Sequence, residues 1–213
     1  MNAVIIDFDG TIADSFGQIL EFLLKEAGHS GPSDLTPEQM TALKGLPMKD
    51  LALRVGIPAW RLPFVYFKGR ASLSKHMHNT PIFTGMDEVL ANLRAEHYEL
   101  FIISSNSKRN INRFLAEHGL GGYFTRVYGG AGWLGKGPAL RKALRQNKLE
   151  ASKTVYVGDE VRDVIGAQLA GMPSVAVNWG FSSEEALLKY NPTILVRSPA
   201  ELQKSLIDWG RTT

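Results

Sequence analysis

Residues 3–11 read AVIIDFDGT, an apolar run rich in β-branched residues that meets two aspartates, then glycine and threonine. Apolar side chains on consecutive positions predict a strand buried on both faces, as in a parallel sheet. Alternation sends Asp7 and Asp9 to the same side, and Gly10 supplies a flexible turn after them. Two carboxylates so close repel unless a cation or a shared proton compensates. An oxygen-only donor set favours a hard ion, Mg²⁺ above all. An acidic turn capping a helix would use the same residues without a metal.

Runs of the same kind follow at 98–104 (YELFIIS), 126–129 (RVYG), 153–158 (KTVYVG), 173–177 (PSVAV) and 193–196 (TILV). Helical spacing lies between them, at Met86, Leu90 and Leu93, at Ile111, Phe114 and Leu115, at Leu140, Ala143 and Leu144, and at Val161, Val164, Ile165 and Leu169. Strands alternating with helices predict an α/β fold with a mainly parallel, Rossmann-like sheet. Such a sheet places its chemistry at the carboxyl ends of its strands.

The alternation breaks once. Residues 15–80 carry helical patterns only, with turn signals at 28–34 (GHSGPSD), 45–47 (GLP) and 56–58 (GIP). The expected organisation is a core made of 1–14 and 81–213, with an all-helical insert at 15–80 directly after the first strand. The aromatic cluster Trp60, Phe64, Tyr66 and Phe67 is expected to fill the core of that insert. His76 and His78 read as a polar hinge rather than a metal site.

Three more polar segments stand at strand ends or helix starts. VGDEVRD (157–163) repeats the pattern of acids after a strand, and Asp159 and Asp163 lie four apart across a helix's first turn. Helix capping is the simpler reading for Glu160 and Asp163 taken singly. Ser104, Ser105, Asn106 and Ser107 end the second strand, where hydroxyl and amide donors suit a phosphate oxygen or an N-cap. Lys136, between Gly135 and Gly137, offers a point charge at a helix start to a phosphate or a carboxylate.

Taken in order, DFDGT (7–11), a helical insert, IISSN (102–106), Lys136 and VGDEVRD (157–163) resemble the haloacid dehalogenase superfamily. The similarity is strongest to its phosphoglycolate-phosphatase-like members with a helical cap, and it spans essentially the whole chain. AGMPSVAVNWGF (170–181) resembles that subgroup's fifth strand and following turn. The resemblance implies a Mg²⁺-dependent phosphatase acting on a small phosphate monoester, phosphoglycolate being the reference substrate. It implies that Asp7 is the nucleophile that forms an aspartyl-phosphate and that Asp9 is the general acid and base. Ser105 and Asn106 would hold the phosphoryl group beside Thr11, and Lys136 would neutralise charge. Mg²⁺ would sit among Asp7, the Asp9 carbonyl and Asp159, with Asp163 as ligand or outer partner. The turn LKGLP (43–47) resembles the family's specificity loop, so Lys44, Gly45 and Arg54 are candidate substrate contacts. Arg162 is a departure, since relatives more often carry a smaller polar residue there. A nucleotidase, a pyrophosphatase or a phosphate-binding relative without turnover is the alternative.

Composition narrows the setting. The chain has 213 residues, 44% hydrophobic and 21% charged, which is ordinary for one globular domain with a modest insert. Without cysteine there is no disulfide framework, thiolate metal site or cysteine nucleophile. No apolar run is long enough to cross a bilayer, and no signal peptide is visible, so a cytoplasmic protein with no membrane partner is expected. The net charge of +3 resides in 15–80, which holds eight bases against five acids. That small excess suits an anionic small molecule. Arg141, Lys142, Arg145 and Lys148 on one helix read as a solvated face, so no nucleic-acid partner is expected.

Overall fold

A computed structural model describes residues 2–43, 46, 48–76, 80–131 and 135–212 of the chain. The six runs form the strands β1 (Ala3–Ile6), β2 (Glu99–Ile103), β3 (Phe124–Tyr128), β4 (Thr154–Gly158), β5 (Ser174–Val177) and β6 (Ile194–Val196). They pair as one parallel sheet in the order β3-β2-β1-β4-β5-β6. The direction of winding reverses between β1 and β4. In open parallel sheets that reversal leaves a crevice at the carboxyl ends, where the connections part to opposite sides.

Alternate residues of the strands feed two apolar layers. Val4, Ile6, Leu100, Ile102, Val155 and Val157 pack against α5 (Met86–Ala95), α6 (Lys108–Glu117) and the C-terminal α10 (Pro199–Thr212). Ala3, Ile5, Phe101, Ile103 and Tyr156 pack against α7 (Lys136–Asn147) and α8 (Val161–Leu169). A short α9 (Glu184–Leu188) follows β5. Neither α9 nor α10 is among the helices expected from the sequence, although Leu202 and Leu206 of α10 are fully buried.

Between β1 and α5 the described residues contain helices and no strand: α1 (Phe16–Ala27), α2 (Pro37–Leu43), α3 (Met48–Arg54) and α4 (Leu62–His76), with short 3₁₀ turns at Pro32–Asp34 and Ala59–Arg61. Leu20, Leu23, Leu24, Leu51, Val55, Ile57 and Val65 form a separate apolar cluster there, joined from the sheet side by Phe181. The two connections run side by side: Ala13 bridges Ile82 and the Asp14 amide donates to the Pro81 carbonyl at 2.9 Å.

The aromatic cluster does not fill this insert. Trp60, Phe64 and Phe67 are 80%, 62% and 60% exposed. The reason is the helical period. At about 100° per residue, Leu62, Val65, Tyr66 and Gly69 share one face, and Phe64 and Phe67 lie on the opposite one. Only Tyr66 turns inward, where its hydroxyl donates to the Ser105 carbonyl at 3.1 Å. Of the two hinge histidines, His78 lies outside the described residues. No helix among the described residues is long and apolar enough to cross a membrane.

Burial on α3 and exposure on α4 separate in a stability measurement. Leu51→Ala empties a fully buried site and is expected to cost about 2–5 kcal/mol in urea unfolding. Phe64→Ser is expected to stay within about 0.5 kcal/mol of the unaltered chain.

Candidate active site

The acids of the first and fourth strand ends meet at the β1/β4 crevice. Asp7, Asp159 and Asp163 are buried, and each offers a carboxylate oxygen within 4.8 Å of the others. Asp7 continues the alternation of Ala3 and Ile5, which turns it towards the layer of α7 and α8. Asp159 follows β4 and Asp163 sits in the first turn of α8. Asp163 also closes a capping box with Glu160, accepting the Glu160 amide at 2.9 Å. The capping reading of these acids is therefore correct as well, and one carboxylate serves both the helix and the cluster.

Lys136 enters this cluster from the first position of α7. Its ammonium lies 2.7 Å from Asp7 Oδ2 and 3.2 Å from Asp163 Oδ1, and it also donates to the Tyr156 hydroxyl at 2.9 Å and the Ile103 carbonyl at 3.2 Å. Gly166 of α8 lets the lysine stem pass, since a Cβ there would collide with the Lys136 Cβ. Tyr156 in turn donates to Asp163 Oδ1 at 3.0 Å. Sequence reasoning missed this tyrosine, because an aromatic inside a β-branched run reads as core.

Asp159 is held on both oxygens. Thr11 Oγ1 donates to Oδ1 and the Phe181 amide to Oδ2, each at 2.8 Å. Gly10, with φ of 77°, adopts a left-handed turn, and a side chain there would run into the Asp159 carboxylate. Thr11 is fully buried and engaged with Asp159, so it reaches the cluster through that residue.

Asp9 lies past the end of β1 at Ile6, where the chain bends. Its carboxylate accepts Ser15 Oγ at 3.0 Å and Asn106 Nδ2 at 3.0 Å on the other oxygen. Asn106 is itself fixed through Oδ1, which accepts the Ser107 amide at 2.8 Å and Asn110 Nδ2 at 2.9 Å. Of the serines, Ser107 caps α6 and Ser104 Oγ accepts the Asn106 amide, while Ser105 faces a cavity together with Asp9 and Asn106.

Burial drives the acid–base behaviour. Desolvation lifts Asp7 to about 7 against the opposing pull of Lys136, with Asp163 adding to the rise. Asp9 is also raised by burial, partly offset by its bonds from Ser15 and Asn106. Asp159 is pushed well above the carboxylate range by burial and then by Glu160, Asp163 and Asp7. Burial alone would lower Lys136, but Asp163 and Asp7 outweigh it and raise the ammonium's affinity for its proton. One lysine among three buried carboxylates leaves a deficit of positive charge. A hard divalent cation on all-oxygen donors fits that deficit.

Other candidates fall elsewhere. Lys44 and Gly45 lie outside the described residues. Arg54 is exposed and borders a shallow depression with Asp50 and Leu53, not the cavity beside Asp9. On α3 it is Met48, Lys49 and Ala52 that turn to the cavity, and Arg54 is rotated off that face. Lys49 is thus the base of α3 that lines it. Arg162 also lines it, with Nη2 2.5 Å from Glu160 Oε1 and a buried Nε that has no hydrogen-bond partner among the described residues.

A family model described as haloacid dehalogenase-like hydrolase matches residues 4–177. The chain is 31% identical over 206 residues to the phosphoglycolate phosphatase of Synechococcus elongatus, covering 97% of both chains. Among solved structures it superimposes on a haloacid dehalogenase-like family hydrolase from Streptococcus pneumoniae with a TM-score of 0.78 at 21% identity, covering 96% of this chain and 98% of that one. A predicted phosphatase from Clostridium acetobutylicum gives a TM-score of 0.78 at 24% identity, covering 97% and 98%. At these identities the two structures speak for the fold.

Removing Lys136, the cation in contact with Asp7 and Asp163, exposes the cluster's repulsion. Lys136→Met is expected to lower unfolding stability by about 3–5 kcal/mol in the absence of divalent ions. Adding Asp7→Asn to that variant is expected to restore part of the loss, read by urea unfolding of the single and double variants.

Proposed function

The chain belongs to the haloacid dehalogenase-like hydrolases and is a phosphatase of the phosphoglycolate-phosphatase-like kind, within which we propose that it hydrolyses a small phosphate monoester through an aspartyl-phosphate, with Mg²⁺ as cofactor. The observation that carries this reading is the buried Asp7–Asp159–Asp163 cluster with Lys136 2.7 Å from Asp7, beside a cavity floored by Asp9, Ser105 and Asn106.

In the first step an Asp7 oxygen bonds to phosphorus as the bond from phosphorus to the leaving oxygen breaks. The Asp9 carboxyl passes its proton to that oxygen, so the alcohol departs neutral. In the second step Asp9, now a carboxylate, takes a proton from water. The water oxygen bonds to phosphorus, the bond to Asp7 breaks, and inorganic phosphate and free Asp7 result. Burial favours a protonated Asp9 at the start, and the Ser15 and Asn106 donors hold its two oxygens in place. Lys136 offsets the charge of Asp7 as the phosphate arrives, and Ser105 offers its hydroxyl to a phosphoryl oxygen. Asp7, Asp159 and Asp163, with the Asp9 carbonyl, would hold Mg²⁺, which supplies charge neutralisation for a dianionic phosphate among carboxylates. The insert at 15–80 acts as a cap that excludes water and contacts the leaving group.

Asp7→Asn is expected to abolish phosphate release from a panel of phosphoglycolate, sugar phosphates and nucleoside monophosphates while the protein stays folded. Asp9→Asn is expected to slow turnover by about 10²–10⁴-fold. Normal turnover in Asp7→Asn would sink the mechanism. In thermal unfolding, Mg²⁺ at a hundredfold excess over its Kd is expected to add about 2.7 kcal/mol, roughly 5–11 °C in Tm for a chain of this size. Asp159→Asn is expected to remove most of that rise.

A further inference from the structure

The cavity between the insert and the sheet edge has a volume of about 600 Å³. That is the size of sites that enclose a drug-sized molecule, about 300–1,000 Å³. Its polar groups are unevenly placed. Asp9, Ser105, Asn106 and the Glu160–Arg162 pair come from the sheet side, while the insert contributes mainly hydrocarbon and rings, among them Phe22, Leu23, Met48, Leu62 and Tyr66. The alcohol of phosphoglycolate is a poor match for such a wall. It has one methylene to bury, about 0.8 kcal/mol, and would leave the remaining apolar surface against water.

Its carboxylate is no better served. Among the described side chains the cations lining the cavity are Lys49, exposed on α3, and Arg162. The Arg162 guanidinium is already engaged by the buried Glu160 carboxylate at 2.5 Å, so the pair presents little net positive charge to a second anion. The wall is instead shaped to receive a ring. Phe22 packs against Gly69 of α4, where a Cβ would approach the Phe22 ring to 3.0 Å, so the glycine makes room for a ring among the residues lining the cavity. Aromatic faces prefer offset or edge contacts with another ring and add to the area it buries.

We propose that the leaving group accepted here is a ring-bearing alcohol of about nucleoside size, packed on the Phe22–Met48–Leu62 wall, and not a two-carbon hydroxy acid. The inference rests on the phosphatase reading and names its substrate class.

The test uses the full chain with Mg²⁺ and esters whose leaving alcohols are matched in intrinsic reactivity. 2-Phenylethyl phosphate is expected to exceed ethyl phosphate and phosphoglycolate in kcat/KM by tenfold or more, and AMP to exceed ribose 5-phosphate in the same direction. Ala59→Trp, at an exposed position on the rim of the wall, is expected to narrow the phenylethyl-to-ethyl ratio at least fivefold, with folding checked by circular dichroism. A preference for phosphoglycolate over 2-phenylethyl phosphate overturns the proposal, and so does an unchanged ratio in a folded Ala59→Trp. If no ester is turned over, the phosphatase reading fails, and the inference is decided by calorimetry. Binding of 2-phenylethyl phosphate at least tenfold tighter than ethyl phosphate then upholds it, and equal or absent binding overturns it.

Discussion

Three carboxylates buried within 4.8 Å of one another repel, and much of the chain is arranged to hold them together. None of the three is left to solvent for compensation, so each must be met by a donor or a cation inside the protein. Asp159 is gripped by Thr11 and the Phe181 amide, Asp163 by Tyr156 and its own helix start, and Asp7 by Lys136 and the Phe8 amide at 2.7 Å. These partners come from the turn after β1, from β4, α7, the residue capping α8 and the turn after β5. The sheet order places the relevant strands side by side, with β1 paired to β4 in register from Ala3–Thr154 to Ile6–Val157. The crevice at the winding reversal is thus where the fold concentrates its unfavourable electrostatics, and where a divalent cation gains most by binding.

Among the described residues, three contacts tie the insert to the residues around that arrangement. Ser15, just before α1, donates to Asp9, and Tyr66 on α4 donates to the Ser105 carbonyl. Phe181 spans the two parts: its amide holds Asp159 while its ring packs into the insert cluster, 5.7 Å from the ring of Phe16. A displacement of α1 relative to the sheet would withdraw a donor from Asp9 and unseat the ring whose backbone secures Asp159. The insert thus touches the residues that hold the carboxylates through named contacts, not through proximity alone.

Much of this was legible in the sequence because strands that are buried on both faces must end abruptly, and polar residues packed against their ends stand out. AVII stopping at Asp7, ELFII stopping before Ser104, and TVYVG stopping at Asp159 each mark a strand and the polar segment at its carboxyl end in one signal. What was hidden follows the same logic in reverse. Tyr156 is both core and site, so its ring masks its hydroxyl. Asn106 lines the cavity, and its amide also donates to Asp9, a relation between segments 97 residues apart that no local pattern encodes. The aromatic run from Trp60 to Phe67 suggested bulk in one place, and the helix distributed it over opposite faces. Arg54 is the base of α3 named from the sequence, and the rotation of α3 instead brings Lys49 to the cavity.

Asp7 and Asp9 show how two identical side chains, two residues apart, acquire different partners. Both are desolvated and both are raised, so burial alone cannot distinguish them. Their partners do. Asp7 faces Lys136 and two other acids, so its ionised form is welcome only where positive charge is at hand. Asp9 accepts from Ser15 and Asn106, neutral donors that offset part of its burial, with the charges of Lys136 and Arg162 acting on it more weakly than those two bonds. A charged partner in contact with Asp9 would hold it ionised more strongly, and a neutral set of donors around Asp7 would leave its charge uncompensated. The chain bends after Asp7, and the two carboxylates meet these different partners on either side of that bend.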